Sequence, residues 1–187
     1  MVFGRRVELR NKIQIRPLEM RDALDVFRAV DESRAEVSRW MDWCRPTYAL
    51  HDAEEWIRTS LDGRDEGTCF EFGIFAGRRF IGSCGLSRVD RTARVANLGY
   101  WVRTSATGQG VAPEAARRVI EWAFANTNVE RIEILAAVGN RRSQRVAEKI
   151  GAVREGVLRR RLEVFGRHHD AVIYSVVRGD PLWPSTD

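Results

Sequence analysis

Cysteine is scarce in this chain of 187 residues: Cys44, Cys69 and Cys84 are the only three, an odd number at wide spacings. That excludes a disulfide framework and a zinc knuckle, and fits reduced thiols in a cytoplasmic protein. Histidine is equally sparse, at three residues. His168 and His169 are adjacent and would face opposite sides of a strand, so they cannot easily share a metal, and none is expected. No apolar run reaches the length of a membrane helix. Residues 1–11 lack the long apolar stretch of an export signal. Repeats, low-complexity segments and long blocks of Lys or Arg are also missing, so neither a membrane partner nor a nucleic-acid tail is indicated.

What is present is a globular balance, 44% hydrophobic and 30% charged, at a length that suits one domain. The expected division is a single domain over residues 1–180 and a short tail at 181–187, marked by Pro181 and Pro184. The net charge of +5 favours an anionic partner, as does a pI of about 9.6. Nucleic acid, an acidic protein and a phosphorylated cofactor all remain open on charge alone.

Hydrophobic periodicity sketches a mixed sheet. Ile13–Leu18 alternates as a strand. Helical spacing follows over Met20–Ser33 and again over Asp52–Leu61, with an irregular aromatic stretch, Arg39–Pro46, between them. Cys69–Phe75 and Phe80–Leu86 flank Ala76-Gly77-Arg78-Arg79, a hairpin signal, and Arg94–Val102 is a third strand. Pro113–Ala125 carries the strongest apolar stripe, through Ala115, Ala116, Val119, Ile120 and Ala123. An alternating strand, Ile132–Val138, comes next, so strand, helix and strand make a parallel crossover. A helix over Arg141–Ile150 stops at Gly151, and strands at Val153–Glu163 and Ala171–Val177 turn near Gly166. The fold class is therefore α/β, with a mostly antiparallel sheet and one parallel βαβ unit.

The segment Thr107-Gly108-Gln109-Gly110-Val111-Ala112 lies between a strand and that strongest helix. Two glycines let the backbone turn N–H groups into one concavity, and the helix adds free N–H groups and the positive end of its dipole. Such a place holds phosphate. A P-loop would need a lysine that is not there. A dinucleotide fingerprint would need glycine or alanine where Pro113 stands, and it follows a first parallel strand, whereas this loop comes late. An acyl-CoA reading stands ahead of both.

These residues carry a resemblance. Gly108–Ala112 before a helix resembles the pyrophosphate loop of the GNAT acetyltransferase superfamily. Leu98-Gly-Tyr-Trp-Val102 resembles the strand before it, and Asn140-Arg-Arg-Ser143 through Gly151 the motif after it. Together with Ile15–Leu18, Trp40–Trp43 and Ala53–Trp56 they are similar to the RimJ/RimL branch over nearly the whole chain. The family loop usually opens with Gln or Arg, and here Thr107 takes that place.

The resemblance implies a GNAT fold with a splayed strand pair, and acetyl-CoA as cosubstrate without a metal. It implies an acceptor that is a protein N-terminal amine or a small amine. A silent CoA-binding sensor is the reading from another class. A homodimer is a further family expectation, and nucleic acid would be met only through the ribosome. The cofactor would be held by Trp101, Val102, Arg103, Thr107, Gly108, Gln109, Gly110, Val111, Ala112, Asn140 and Ser143. Ser143 would protonate the departing thiolate. The family's carboxylate position falls on Leu162, and Glu163, one residue on, is taken as the base, with Glu71 on the central hairpin as second candidate. Trp40, Trp43 and Glu71 would wall the acceptor. Asn and Ser at a helix start also suit plain capping, and strand carboxylates suit a solvated face.

Overall fold

The computed structural model of the chain describes residues 13–182, which excludes most of the expected tail. Seven strands form one sheet in the order β1-β2-β3-β4-β5-β7-β6. The first four are Ile13–Arg16 (β1), Phe70–Ala76 (β2), Arg79–Asp90 (β3) and Val95–Val102 (β4). The others are Arg131–Ala137 (β5), Val153–Val164 (β6) and Arg167–Val177 (β7). Every neighbouring pair is antiparallel except β4 and β5.

Helices cover both faces. The first two, Ala23–Val37 (α1) and Leu50–Glu66 (α2), lie on one side; Val111–Asn126 (α3) and Arg141–Lys149 (α4) lie on the other. Alternation along the strands divides the core accordingly. Ile74, Cys84, Leu86, Leu98, Ile132, Ile134 and Tyr174 pack with Ala115, Ala116, Val119 and Ile120 of α3. Phe75, Phe80 and Trp101 face the other way, onto Val26, Val30 and Ile57 of α1 and α2. No described helix is long and apolar enough to cross a membrane.

Both early helices run further than their apolar spacing suggests. α1 continues through Val37, which is buried. α2 passes Gly63 and stops only at Gly67, in the left-handed region at φ +70°. Gly63 is there for close packing, since a Cβ would stand 2.6 Å from Cys69 Sγ.

The parallel pair is short. β4 and β5 pair only through Val95–Arg131, Ala96–Ile132 and Asn97–Glu133. Beyond that rung, β4 continues along β3 to Val102, and β5 continues along β7 to Ala137, with no pairing between them. The strands part, and their facing edges carry unpaired N–H and C=O groups.

Candidate active site

At the end of β4 the chain makes a 3-10 turn at Thr104–Ala106 and then the glycine loop. Gly108 and Gly110 hold φ of +73° and +76°, values that cost other residues strain. Gly110 caps α3. The N–H groups of Gly108, Gln109, Gly110, Val111 and Ala112 have no acceptor among the described residues. Five free donors at a helix N-terminus fit a pyrophosphate.

Side chains brace this loop instead of lining it. Thr107 Oγ1 donates to the Thr104 carbonyl at 2.9 Å, and Gln109 Nε2 donates to that of Ser105 at 3.1 Å. Arg103 donates from Nε to Glu32 Oε2 of α1 at 2.5 Å. Ser33 Oγ and Glu32 Oε1 accept from the N–H groups of Thr104 and Ser105. Arg103 thus ties the loop to α1. Thr107 likewise spends its hydroxyl on the turn.

Across the gap, Asn140 caps α4: its Oδ1 accepts from the Ser143 N–H at 3.2 Å. Its amide nitrogen has no partner among the described residues. Gln144 Nε2 donates to the carbonyls of Ala137 and Val138, fixing α4 to the end of β5. Ser143 Oγ lies 3.1 Å from the hydroxyl of Tyr100, which also donates to the Ser143 carbonyl at 3.0 Å. Burial raises the Tyr100 pKa above its ordinary value, while the hydrogen bond with Ser143 pulls it back. Asn97 Oδ1, at the apex of the gap, is buried with no donor among the described residues.

On the α1/α2 face is a cavity of about 770 Å³. Its lining includes Met41, Trp43, Tyr48, Glu55 and Trp56 above, and Glu71, Ser83, Ser87, Gly99 and Trp101 below. Small residues on the sheet make the room. Glu71 pairs with Gly85, and Gly85 pairs with Gly99, so one row crosses β2, β3 and β4. A Cβ at Gly85 would lie 2.4 Å from Glu71 Oε2, whereas one at Gly99 would meet nothing within 4 Å. The missing Cβ lets the carboxylate lie across β3, and the way to the free edge of β4 stays open. Burial pushes the Glu71 carboxyl up to about 7, against the pull of Arg64. Arg64 donates to the Glu71 backbone carbonyl at 2.9 Å.

Glu163 is elsewhere. β6 bulges twice, by one residue between Arg154 and Gly156 and by two between Leu158, paired with Ala171, and Leu162, paired with His169; only the second leaves the face unchanged. Glu163 stands opposite His168, exposed on the outer hairpin. Of the two candidate carboxylates, Glu71 alone lines the cavity. Trp43 also lines it, its ring 5.9 Å from those of Tyr48 and Trp101. Trp40 instead reaches Gly139, where a Cβ would be 3.0 Å from its ring, and so stands beside the Asn140 turn. Tyr100, Asn97 and Gly85 were not singled out from sequence. A tyrosine inside the Leu98–Val102 motif was the available signal.

The family described as acetyltransferase (GNAT) domain matches residues 12–153. YdaF of Bacillus subtilis (strain 168), whose name provisionally assigns it to the ribosomal N-acetyltransferases, is 34% identical over 175 residues. The match covers 89% of this chain and 91% of that protein. The ribosomal-protein-serine acetyltransferase of Escherichia coli (strain K12) is 21% identical, covering 80% and 84%. Among solved structures, Mycobacterium smegmatis RimJ in complex with CoA-disulfide superimposes with a TM-score of 0.82 at 26% identity, covering 88% and 81%. RimL in complex with coenzyme A gives 0.84 at 18% identity, covering 89% and 94%, a likeness of fold. The chain belongs to the GNAT acetyltransferase family and is an acetyl-CoA-dependent N-acetyltransferase.

Proposed function

We propose that the acceptor is the α-amine of a protein N-terminus, and that Glu71 is the base. The observation that carries this reading is the row Glu71, Gly85, Gly99, which gives a raised carboxylate an open path to the parted edge of β4. An α-amine has a pKa of about 8, so a useful fraction is neutral near that pH and a base of about 7 suffices. The names of YdaF and of the Escherichia coli enzyme point the same way.

Acetyl-CoA supplies an activated acetyl group. The N–H groups of Gly108–Ala112 hold its pyrophosphate, and the amide nitrogen of Asn140 donates to the pantetheine arm. A free N–H of β4 near Val102 polarises the thioester carbonyl. The acceptor nitrogen attacks that carbonyl from the Glu71 side; a C–N bond forms and the C–S bond breaks. Glu71 takes the proton the nitrogen sheds. Ser143 Oγ gives one to the departing sulfur and regains it from solvent, while Glu71 releases its own.

The test is a short peptide with a free N-terminal Ser or Ala, run beside an Nα-blocked copy containing lysine. Mass spectrometry counts acetyl groups after incubation with acetyl-CoA. One acetyl group on the free peptide alone is expected. Acetylation of neither, or of lysine equally, overturns the reading. A cavity of about 770 Å³ also suits a compact amine, which is the outcome to pursue in that case.

A further inference from the structure

The chain is basic overall, at +5, yet its acceptor cavity is acidic. Asp42, Asp52, Glu55 and Glu71 line it, against Arg45 alone. Arg45 is already neutralised: its Nη2 lies 3.0 Å from Asp52 Oδ1, and Asp52 also caps α2 through the Ala49 N–H. That leaves Asp42, Glu55 and Glu71. Asp42 and Glu55 make no ion pair among the described residues. Glu55 belongs to the α2 stripe Asp52, Glu55, Trp56, Thr59, spaced so that one helix face looks into the cavity. Its neighbours are aromatic, Trp56 on the same stripe and Trp43 on the loop above. Carboxylates among ring faces favour cations twice, by charge and by cation–π attraction. Glu71 sits deep on the sheet with no hydrogen bond to its carboxylate among the described residues, while Glu55 and Asp42 are exposed at the mouth.

We infer that the acceptor carries a second positive charge near the reacting amine, and that Glu55 and Asp42 read it at the mouth of the cavity. This rests on the reading of the cavity as the acceptor site. Floor and mouth are separated by on the order of 10 Å, the spacing of packed layers. An extended chain advances about 3.4 Å per residue. A Lys or Arg at the second or third position therefore brings its charge to the rim while the α-amine lies at Glu71. An acidic residue there meets two like charges and is disfavoured.

The experiment compares kcat/KM for three peptides identical except for Lys, Ala or Glu at the second and third positions, at low and high salt. A linear diamine and a monoamine of equal length run alongside. The Lys peptide is expected to exceed the Glu peptide by about tenfold at low salt, with the gap shrinking at high salt as screening grows. Glu55→Gln and Asp42→Asn should narrow the gap by lowering the rate on the Lys peptide. Turnover of the diamine but of no peptide would keep the dicationic acceptor and sink the peptide reading. Equal rates across the three peptides, or a preference for Glu, overturn the inference and leave the peptide reading standing. Absence of turnover with every cationic acceptor overturns both.

Discussion

Tyr100 on β4 and Ser143 on α4 are joined across the gap between the parted strands, hydroxyl to hydroxyl at 3.1 Å. The Tyr100 hydroxyl also lies 3.0 Å from the Ser143 carbonyl, so it meets both oxygens of Ser143 and positions the Ser143 hydroxyl. Tyr100→Phe is expected to lower kcat by about tenfold and leave the acceptor KM unchanged. Ser143→Ala should cost more, on the order of 10²-fold, as loss of a general acid. The double variant should be no worse than Ser143→Ala, because both act on one proton transfer. Steady-state kinetics on the four proteins checks this, and multiplicative losses would show that the residues act separately.

Gly85 positions Glu71 by having no side chain. Gly85→Ala places a carbon 2.4 Å from Glu71 Oε2 and 2.7 Å from the Phe70 carbonyl oxygen, so the carboxylate must swing away from β4 and the β2 backbone must give, which also lowers Tm. A loss of about 10-fold or more in kcat is expected, with the pH profile shifted toward the ordinary carboxylate range as Glu71 regains solvent. Gly99→Ala meets nothing within 4 Å and narrows the acceptor path alone. It should raise the acceptor KM and leave the pH profile in place.

The glycine loop is the part most legible in sequence. Two left-handed positions demand glycine, and the stripe of α3 behind them permits only one buried face. The parting of β4 from β5 followed from the family resemblance. Glu71 was visible only as a strand carboxylate, because its role depends on a register that puts Gly85 and Gly99 beside it. The spacing count fell on Leu162, one residue short of Glu163, and could detect neither the one-residue bulge between Arg154 and Gly156 nor the longer one at Arg159–Arg161. Tyr100 and Ser143 are 43 residues apart, and no local pattern announces their meeting.

Gly110→Val forces a β-branched residue to φ +76° at the α3 cap, a strain of about 1–2 kcal/mol. Thermal melts with and without acetyl-CoA test the cradle. At a hundredfold excess over Kd the wild type should gain about 2.7 kcal/mol. The variant should melt lower and gain much less. An equal gain would remove the loop from cofactor binding.

Arg103 is expected to matter for stability rather than for the cofactor. Its partly exposed pairing with Glu32 is worth on the order of 1 kcal/mol. Arg103→Ala and Glu32→Ala should each lower Tm and be strongly non-additive together. The acetyl-CoA Kd of Arg103→Ala, read by calorimetry, should stay within about twofold of wild type, since the phosphate cradle is backbone.

Glu71 is best judged by pH. Burial raises its carboxyl from an ordinary 4.5 to about 7, with Arg64 of α2 opposing, and Cys69 and Cys84 nearby, both thiols raised by burial. The folded state prefers the neutral acid. Its contribution to stability is complete below 4.5 and is lost as pH rises through about 7. Glu71→Gln should therefore raise Tm above neutral pH and not at pH 4. Catalysis needs the opposite form. The decisive measurement is kcat/KM against pH for wild type and Glu71→Gln with a free-N-terminus peptide. An ascending limb near pH 7 in the wild type is expected, absent in the variant, which should keep only the limb of the amine near pH 8 and lose at least about 10²-fold at neutral pH. The same profile and rate in both proteins would contradict Glu71 as the base and leave the amine to shed its proton to water.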